Sequence, residues 1–496
     1  MSKKQWIGAG LGLGATLLCN GPLLAANSPD RNIGMDLKIT GQFEDDRDLG
    51  TRGGGDVSGV AIDARPWVYG RHGDWSGFFM LQAVSSTDII ETDPIAPNLK
   101  PETLTNRDKS RDPDKSYLAL REFWIDYRGL TPYPGEHLRF GRQRVYASEG
   151  TWWDTRIEAL NWMFDSTLLR AQLGAAERFS DYRTDYDDLS ANDEKRANFF
   201  GGLDYQWHPG HWAGFKLHHV HDYGDLPSSY DKQVNDQQSK PYTGNLTWVG
   251  LHLDGDFFNY RSRMPVNYWG ELTWLTGHIK KRYFADATAP ADKYGEDVNA
   301  WAIDLGLRWN INEQWKLGAA YARGSGSGNG GEGGDNHDSS GQFVQTGMQS
   351  NRSSFTGVQT RIHRFGEAFR GQMTNTQVAS LFTSWRPNDT YEGSLIYHRF
   401  WRVDDNAPIV SSGVSPFNYN NKPALQDGRS DLGQEVDLVI ARYFRQGVIP
   451  GAWDSGLEDQ SALVRLRSGL FFPGNAYASK TDTTMYRVFL DFVWRF

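Results

Sequence analysis

The sequence predicts an all-β fold, a transmembrane antiparallel up-and-down β-barrel of the outer-membrane class, and three observations carry that reading. First, the chain is polar on average, with a mean hydropathy of -0.61, yet 14% of it is aromatic and it holds 54 Gly and 19 Trp. A barrel hides its lipid face by alternation, so a polar average with many aromatics suits it. Second, after the N-terminal segment there is no apolar run of the roughly 18 residues that a helical span requires. Third, Tyr486 to Phe496 alternates without a break. Tyr486, Val488, Leu490, Phe492, Trp494 and Phe496 share one parity; Arg487, Phe489, Asp491, Val493 and Arg495 share the other. Alternate side chains of a strand point to opposite faces. One face is therefore wholly apolar and the other charged, as expected of the last strand of such a barrel.

Residues 1–26 read as a secretory signal to be removed: Lys3 and Lys4 open it, Ile7 to Leu18 form its apolar middle, and Leu24-Ala25-Ala26 offers small residues for cleavage. Residues 27–496 are then expected to form a single barrel domain in the outer membrane of a Gram-negative cell, in contact with its lipids. Cys19, the only cysteine, lies inside the signal, and Leu18 is too large a neighbour for a lipoprotein cysteine. The mature chain is left without a thiol, which excludes thiol catalysis and fits a wall closed by hydrogen bonds. Formal net charge is -9, so handling a polyanion demands that positive charge be concentrated locally.

The elements follow in order. Met35, Leu37 and Ile39 alternate with Asp36, Lys38 and Thr40 in a first strand. VAIDARPWVY sets Val60 and Ile62 against Asp63 and Arg65, and FFMLQAV follows after a short turn at Arg71 to Asp74. Ser85 to Ser116 is a long polar outer loop. LALREFWIDY is a strand of unsettled phase, because Arg121 and Glu122 have opposite parity. LRFGRQRVY puts Arg142 and Arg144 on one face; IEALNWMF and TLLRAQLGAAERF make a hairpin. NFFGGLDYQW, GFKLHHVHD, TGNLTWVGLHL and NYWGELTWLTG continue the pattern. The clearest strand is VNAWAIDLGLRWN, with Trp301, Ile303, Leu305, Leu307 and Trp309 opposed to Asp304 and Arg308. QWKLGAAYA, TQVASLFTSW, YEGSLIYHRFW, EVDLVIARYF and ALVRLRSGLF lead to the terminal strand.

Topology prunes the count. In such barrels strand number is even, inner turns are short and outer loops long. Arg386 to Asp389 is too short for an outer loop, so TQVASLFTSW runs toward the periplasm. QWKLGAAYA runs outward, so Arg323 to Asn375 is one long outer excursion, with Phe355 to Phe365 an extension or a folded-in loop. About 18 strands remain, enough to enclose an aqueous lumen. Gln446 to Glu458 is an unusually long inner turn.

The inward parity is rich in cations: Lys38, Arg65, Arg142 or Arg144, Arg308, Arg465 and Arg467. Arg465 and Arg467 point one way while Val464 and Leu466 face lipid. Rings of Arg and Lys suit anion pores, and the guanidinium fork matches carboxylates. Asp63, Asp154, Asp185 and Asp304 are available to brace those side chains, although paired arginines also brace the walls of ordinary porins. His218, His219 and His221 are close in sequence, but solvated histidines near a strand end are the simpler reading than a metal site. The glycine-rich stretch 323–341 contains one calcium-type nonapeptide, and a single copy cannot stack as a β-helix does. No nucleophile elbow, zinc motif or phosphate loop is present. The sequence thus implies no enzyme, no cofactor and no nucleic-acid partner.

Lys38-Ile39-Thr40-Gly41, Arg65-Pro66-Trp67, REFWIDY, YPGEHLRFGRQR, IEALNW, RFSDYRTD, DLGLRWNI, RIHRFGEAFRG, FWRVDD and FVWRF together resemble the bacterial alginate export porins. The likeness runs from about residue 33 to the end, and the loops 96–112 and 326–345 depart most. It implies a monomeric barrel of 18 strands that exports alginate, a polymer of mannuronate and guluronate, through an electropositive constriction. Motif by motif, it implies constriction roles for Lys38, Arg65, Arg121, Arg144, Arg352, Arg361, Arg465 and Arg467, with Asp154 and Asp185 as their acidic partners. It further implies lids at 85–116 and 446–458, and a periplasmic tetratricopeptide scaffold lipoprotein as partner. A porin for small anionic solutes is the alternative the residues leave open.

Overall fold

The computed structural model describes residues 32–45, 49, 56–88, 90–91, 114–229, 240, 242–284, 288, 291–327, 339–414, 425–444, 462–477 and 484–495. The signal segment, most of loop 85–116, the calcium-type nonapeptide and the turn at 446–458 lie outside these residues. Strands β1 (Ile33–Asp45), β2 (Val57–His72), β3 (Trp75–Ser86), β4 (Ser116–Tyr127), β5 (Glu136–Tyr146), β6 (Asp154–Asp165) and β7 (Leu169–Glu177) form the first part of the wall. Then come β8 (Arg196–His208), β9 (His211–Asp222), β10 (Thr243–Asp254), β11 (Val266–Tyr283), β12 (Asp292–Asn310) and β13 (Trp315–Gly324). Three two-residue strands, β14 (Ser339–Ser340), β15 (Arg352–Ser353) and β16 (Ile362–His363), belong to one loop. The wall resumes with β17 (Thr376–Trp385), β18 (Tyr391–Arg402), β19 (Asp431–Phe444), β20 (Ala462–Pro473) and β21 (Met485–Arg495).

Each long strand pairs antiparallel with its neighbours in chain order, and β1 pairs with β21 from Asp36↔Arg495 to Asp45↔Tyr486. This closes a barrel of 18 strands and leaves neither β1 nor β21 as a free edge in lipid, where unpaired backbone groups would be costly. Alternation does the rest. On β12, Trp301, Leu305, Leu307 and Trp309 are exposed while Ala302, Asp304 and Arg308 are buried. On β21, Tyr486 and Leu490 face out while Arg487, Asp491 and Arg495 are buried. Exposed Trp75, Trp207, Trp309, Trp315 and Trp385 all lie at the short-turn end, where amphipathic indoles meet the membrane surface. Short turns mark that end as periplasmic.

The unsettled phase of β4 has a local cause. Met80 pairs with Glu122 and Leu81 with Leu120, so Arg121 is the extra residue of a β-bulge. The bulge turns both Arg121 and Glu122 inward. β4 pairs with β5 only from Phe123 to Tyr127. Above that, the main chain of Tyr182 to Thr184 takes over: Leu120 N–H donates to the Tyr182 carbonyl at 2.9 Å, and Thr184 N–H to the Leu118 carbonyl at 2.9 Å.

The excursion between β13 and β17 leaves and returns in register, with Arg323 opposite Gln377. Its middle folds into the barrel. Phe343, Met348, Phe355, Val358, Ile362, Phe365 and Phe369 are buried, and β15 and β16 form a small hairpin there. Wall carboxylates hold its backbone: Glu392 accepts from Gln359 N–H at 2.8 Å and Thr360 N–H at 2.7 Å. Glu435 accepts from Ala368 and Phe369 N–H at 2.6 and 2.8 Å, and Asp437 from Glu367 N–H at 3.1 Å. Gly366 permits this approach: it has φ +83°, and an added Cβ would lie 2.4 Å from a Glu435 carboxylate oxygen.

Candidate functional site

The folded-in loop brings cations from distant strands onto shared carboxylates. On β21, Asp491 takes Lys38 Nζ at 3.3 Å, Arg465 Nη2 at 2.9 Å and Arg467 Nε at 3.3 Å. In the loop, Glu367 takes a two-pronged contact from Arg352, Nη1 at 3.0 Å and Nη2 at 2.9 Å. Arg467 Nη1 reaches the same carboxylate at 3.1 Å and Arg370 Nη2 at 3.7 Å. Arg467 is thus the link between wall and loop. Five cations, Lys38, Arg352, Arg370, Arg465 and Arg467, converge on these two carboxylates. Glu91 adds a further carboxylate, on Arg370.

A second arm runs through Asp154, which accepts from Arg144 at 2.7 Å, Arg361 at 2.5 Å and the Ser350 hydroxyl at 2.5 Å. Arg361 also donates to the Arg352 carbonyl at 2.5 Å, joining this arm to the first. Arg144 and Arg361 both lie over the Tyr146 ring, 4.6 and 5.0 Å from its centroid. Arg144 shares strand parity with Phe140, which is exposed on the barrel exterior. It reaches the loop because the β5–β6 hairpin leaves β4 above Phe123↔Arg142. Val145 and Ile157 on its other face pack in one cluster with Trp153 and Phe200. Arg142 stays at the seam, bonded to Glu158 at 2.8 Å and stacked on Tyr182.

The third arm lies on β2 to β4. Arg65 pairs with Asp63 at 2.6 Å, Gln82 donates to Asp63 at 2.8 Å, and Arg121 donates to Gln82 at 3.1 Å. Asp63 is the register partner of Lys38. Asp185 is placed elsewhere: its ion pair is with Arg183 at 2.6 Å, in the loop after β7. Arg308, inward by parity, caps backbone carbonyls of the 255–265 turn and of Phe355 and so acts as a brace. His218 is fully buried, not solvated, accepting from Trp153 Nε1 at 3.0 Å, while His219 and His221 bond Thr247 and Asn245. No group of metal-ligating residues occurs among the described residues.

Burial acts against the Glu367 carboxylate, but the charges of Arg352, Arg467 and Arg370 outweigh it and hold its pKa well below the ordinary value. Burial first, then Arg467 and Arg370, lowers Arg352 to about 10 against the pull of Glu367; it remains a cation at neutral pH. Sequence reading missed Glu367, Arg370 and Glu91. The first two lie inside the RIHRFGEAFRG motif, where strand parity gives no signal. Open space borders the cluster at Arg352 and Arg370, and a separate space lies at the short-turn end. A cavity of about 490 Å³ touches Arg196, Arg352, His363 and Arg370; another of about 800 Å³, at the short-turn end, touches Arg261, Arg263, Lys316 and Arg386.

Comparison with known proteins gives one answer. Residues 30–491 match the family model described as alginate export. The chain is 59% identical over 504 residues to the alginate production protein AlgE of Azotobacter vinelandii, covering 100% of both chains. It is 51% identical to that of Pseudomonas aeruginosa, covering 98% of this chain and 96% of the other. The crystal structure of Acinetobacter baumannii OccAB4 shares the fold alone, with a TM-score of 0.50 at 10% identity, over 95% of this chain and 100% of that one. A closed barrel of 18 strands with these relatives is an outer-membrane channel protein and not an enzyme, and the chain belongs to the alginate export family.

Proposed function

We propose that this barrel exports alginate through a passage whose narrowest part is lined by Lys38, Arg65, Arg121, Arg144, Arg352, Arg361, Arg465 and Arg467. The observation that carries the reading is the sharing of carboxylates: Asp491 serves three cations and Glu367 serves three, with Arg467 common to both. Such sharing fixes the guanidinium groups in place without neutralising them. Each uronate unit of the polymer carries one carboxylate, which a narrow, low-dielectric passage would otherwise reject. Positive charge held in advance compensates that loss of hydration. Several moderate sites serve better than one tight site, because conduction needs release as well as capture. Asp154 positions Arg144 and Arg361 in the same way; Asp185 acts one step removed, on Arg183.

The closure of β1 on β21 supports a monomeric barrel. Family membership supports a periplasmic tetratricopeptide scaffold lipoprotein as partner, removal of residues 1–26, and a single domain over 27–496. The test is Arg465→Glu combined with Arg467→Glu. Both anion conductance and secreted uronate are expected to fall while the barrel remains heat-modifiable; unchanged values for both remove these residues from the mechanism. Block of iodide current by polymannuronate, and not by neutral dextran, separates export of the polymer from a pore for small anions.

A further inference from the structure

At the outer end of the cluster a carboxylate of the protein sits where the ladder of cations has capacity to spare. Glu44 and Arg487 are register partners on β1 and β21. They lie six residues beyond Lys38 on β1, roughly 20 Å along the strand at about 3.3 Å per residue. Arg487 Nη2 donates to Glu44 at 2.5 Å. Its Nε and Nη1, both buried, have no hydrogen-bond partner among the described residues, and neither has Arg370 Nη2. Arg370 is held with φ +49°, a left-handed conformation uncommon for a residue with a side chain, and its Nε is tied to the Glu367 carbonyl at 3.0 Å.

Into this setting comes Glu91, from the loop that follows β3. Its backbone N–H donates to Gln42 at 2.8 Å, and the preceding Ile90 packs with Val57 and Ala61. One carboxylate oxygen accepts from Arg370 Nη1, while the other, Oε1, is buried without a hydrogen bond among the described residues. Burial works against this carboxylate, yet the charges of Arg370, Arg487 and Arg352 outweigh it and keep its pKa below the ordinary value. Gln42 donates to Glu44 at 3.0 Å while accepting from Glu91, which sets Glu91 beside the Glu44–Arg487 pair, and buried donors and a buried acceptor left half-satisfied there are costly. They mark a site shaped for a carboxylate that Glu91 fills only in part.

We propose that Arg370 and Arg487 form a further carboxylate-binding subsite at the outer end of the passage, and that Glu91 occupies it until a uronate carboxylate takes its place. The exchange swaps one carboxylate for another, so the net charge of the site is unchanged as each sugar unit leaves. This rests on the export reading above. It is tested with the full-length protein in planar bilayers, using hexamannuronate as the blocking probe on the long-loop side. Wild-type current must first be blocked; absence of any block overturns the export reading itself. Glu91→Gln is expected to lower the half-blocking concentration about tenfold, and Arg370→Gln added to it to reverse that gain. Should Glu91→Gln fail to give a heat-modifiable barrel, Glu91→Asp, one methylene shorter, is expected to shift block in the same direction by less. A blocked wild type with unchanged half-blocking concentrations in the Glu91 variants overturns the subsite and leaves export standing.

Discussion

Removal of the Glu367 carboxylate is the sharpest perturbation of the folded-in loop. In Glu367→Ala, Arg352, Arg370 and Arg467 lose their common partner while all three stay buried. Breaking a buried ion pair by deleting one member costs about 3–5 kcal/mol, because the charge left behind has no counterpart. Arg467 keeps Asp491 and Arg370 keeps Glu91, so Arg352 is the cation that loses its described carboxylate, and the range applies once. Little of the cost falls on the wall, which keeps its strand pairing; it falls on the docked state of the loop. At about 1.4 kcal/mol per tenfold, docking weakens roughly a hundred- to several-thousand-fold. Single-channel recording is expected to show larger, flickering conductance, and trypsin to cut between Arg361 and Arg370 in the folded barrel. Glu367→Gln keeps an acceptor for the His363 N–H, bonded at 3.0 Å, and is expected to fall between the two. Unchanged conductance together with tryptic protection in a heat-modifiable Glu367→Ala barrel refutes the reasoning.

Other expectations follow from the same geometry. Gly366→Ala places a Cβ against the Glu435 carboxylate at a left-handed position. It should loosen the loop by about 1–3 kcal/mol, read as raised conductance; a wild-type trace counts against it. Asp154→Asn leaves Arg144 and Arg361 without a charged partner in common, so open-channel noise should rise and block by polymannuronate weaken, while wild-type block would show that Asp154 does not position them. Acid sensitivity has a definite sign. Glu367 and Glu91 both titrate below the ordinary range. Their contribution to docking is complete above the unfolded value near about 4.3 and is lost only as pH falls through the folded values. The Glu367 and Glu91 ion pairs should therefore add no change in conductance between about pH 8 and about pH 5, so wild type and Glu91→Gln should share one pH profile there; a transition in that window that Glu91→Gln removes contradicts the assignment.

Much of this was legible in the sequence wherever a residue obeys strand alternation. The β12 and β21 faces, the inward Arg465–Arg467 pair, and the single excursion from Arg323 to Asn375 all follow from parity and turn length. Where alternation fails, parity no longer carries the reading. Arg121 could not be phased because a bulge sets it beside Glu122 on one face. Arg144 faces the loop although its parity matches lipid-facing Phe140, because a hairpin leaning away from its neighbour exchanges inside for outside. Glu367 and Arg370 lie in a loop whose position depends on backbone anchors from Glu392, Glu435 and Asp437 on β18 and β19, and Glu91 lies in another, anchored by Gln42 on β1. Asp185 was assigned by resemblance, and its described partner, Arg183, is a residue that no alternation argument would single out.

The short β4–β5 pairing has a consequence for assembly. In lipid, each main-chain group left bare costs several kcal/mol, and β4 above Phe123 is bare of β5. Its stitches come from Tyr182 to Thr184, with Leu118 N–H bonded to the Thr184 hydroxyl at 3.0 Å and Arg142 Nε to the Leu120 carbonyl at 3.0 Å. Tyr182 to Thr184 follow β7 in the chain, so the tube cannot be sealed by hairpins laid down one after another. A stretch that never crosses the bilayer must dock sideways before the cylinder is watertight, and insertion should stall wherever that mend is unpicked.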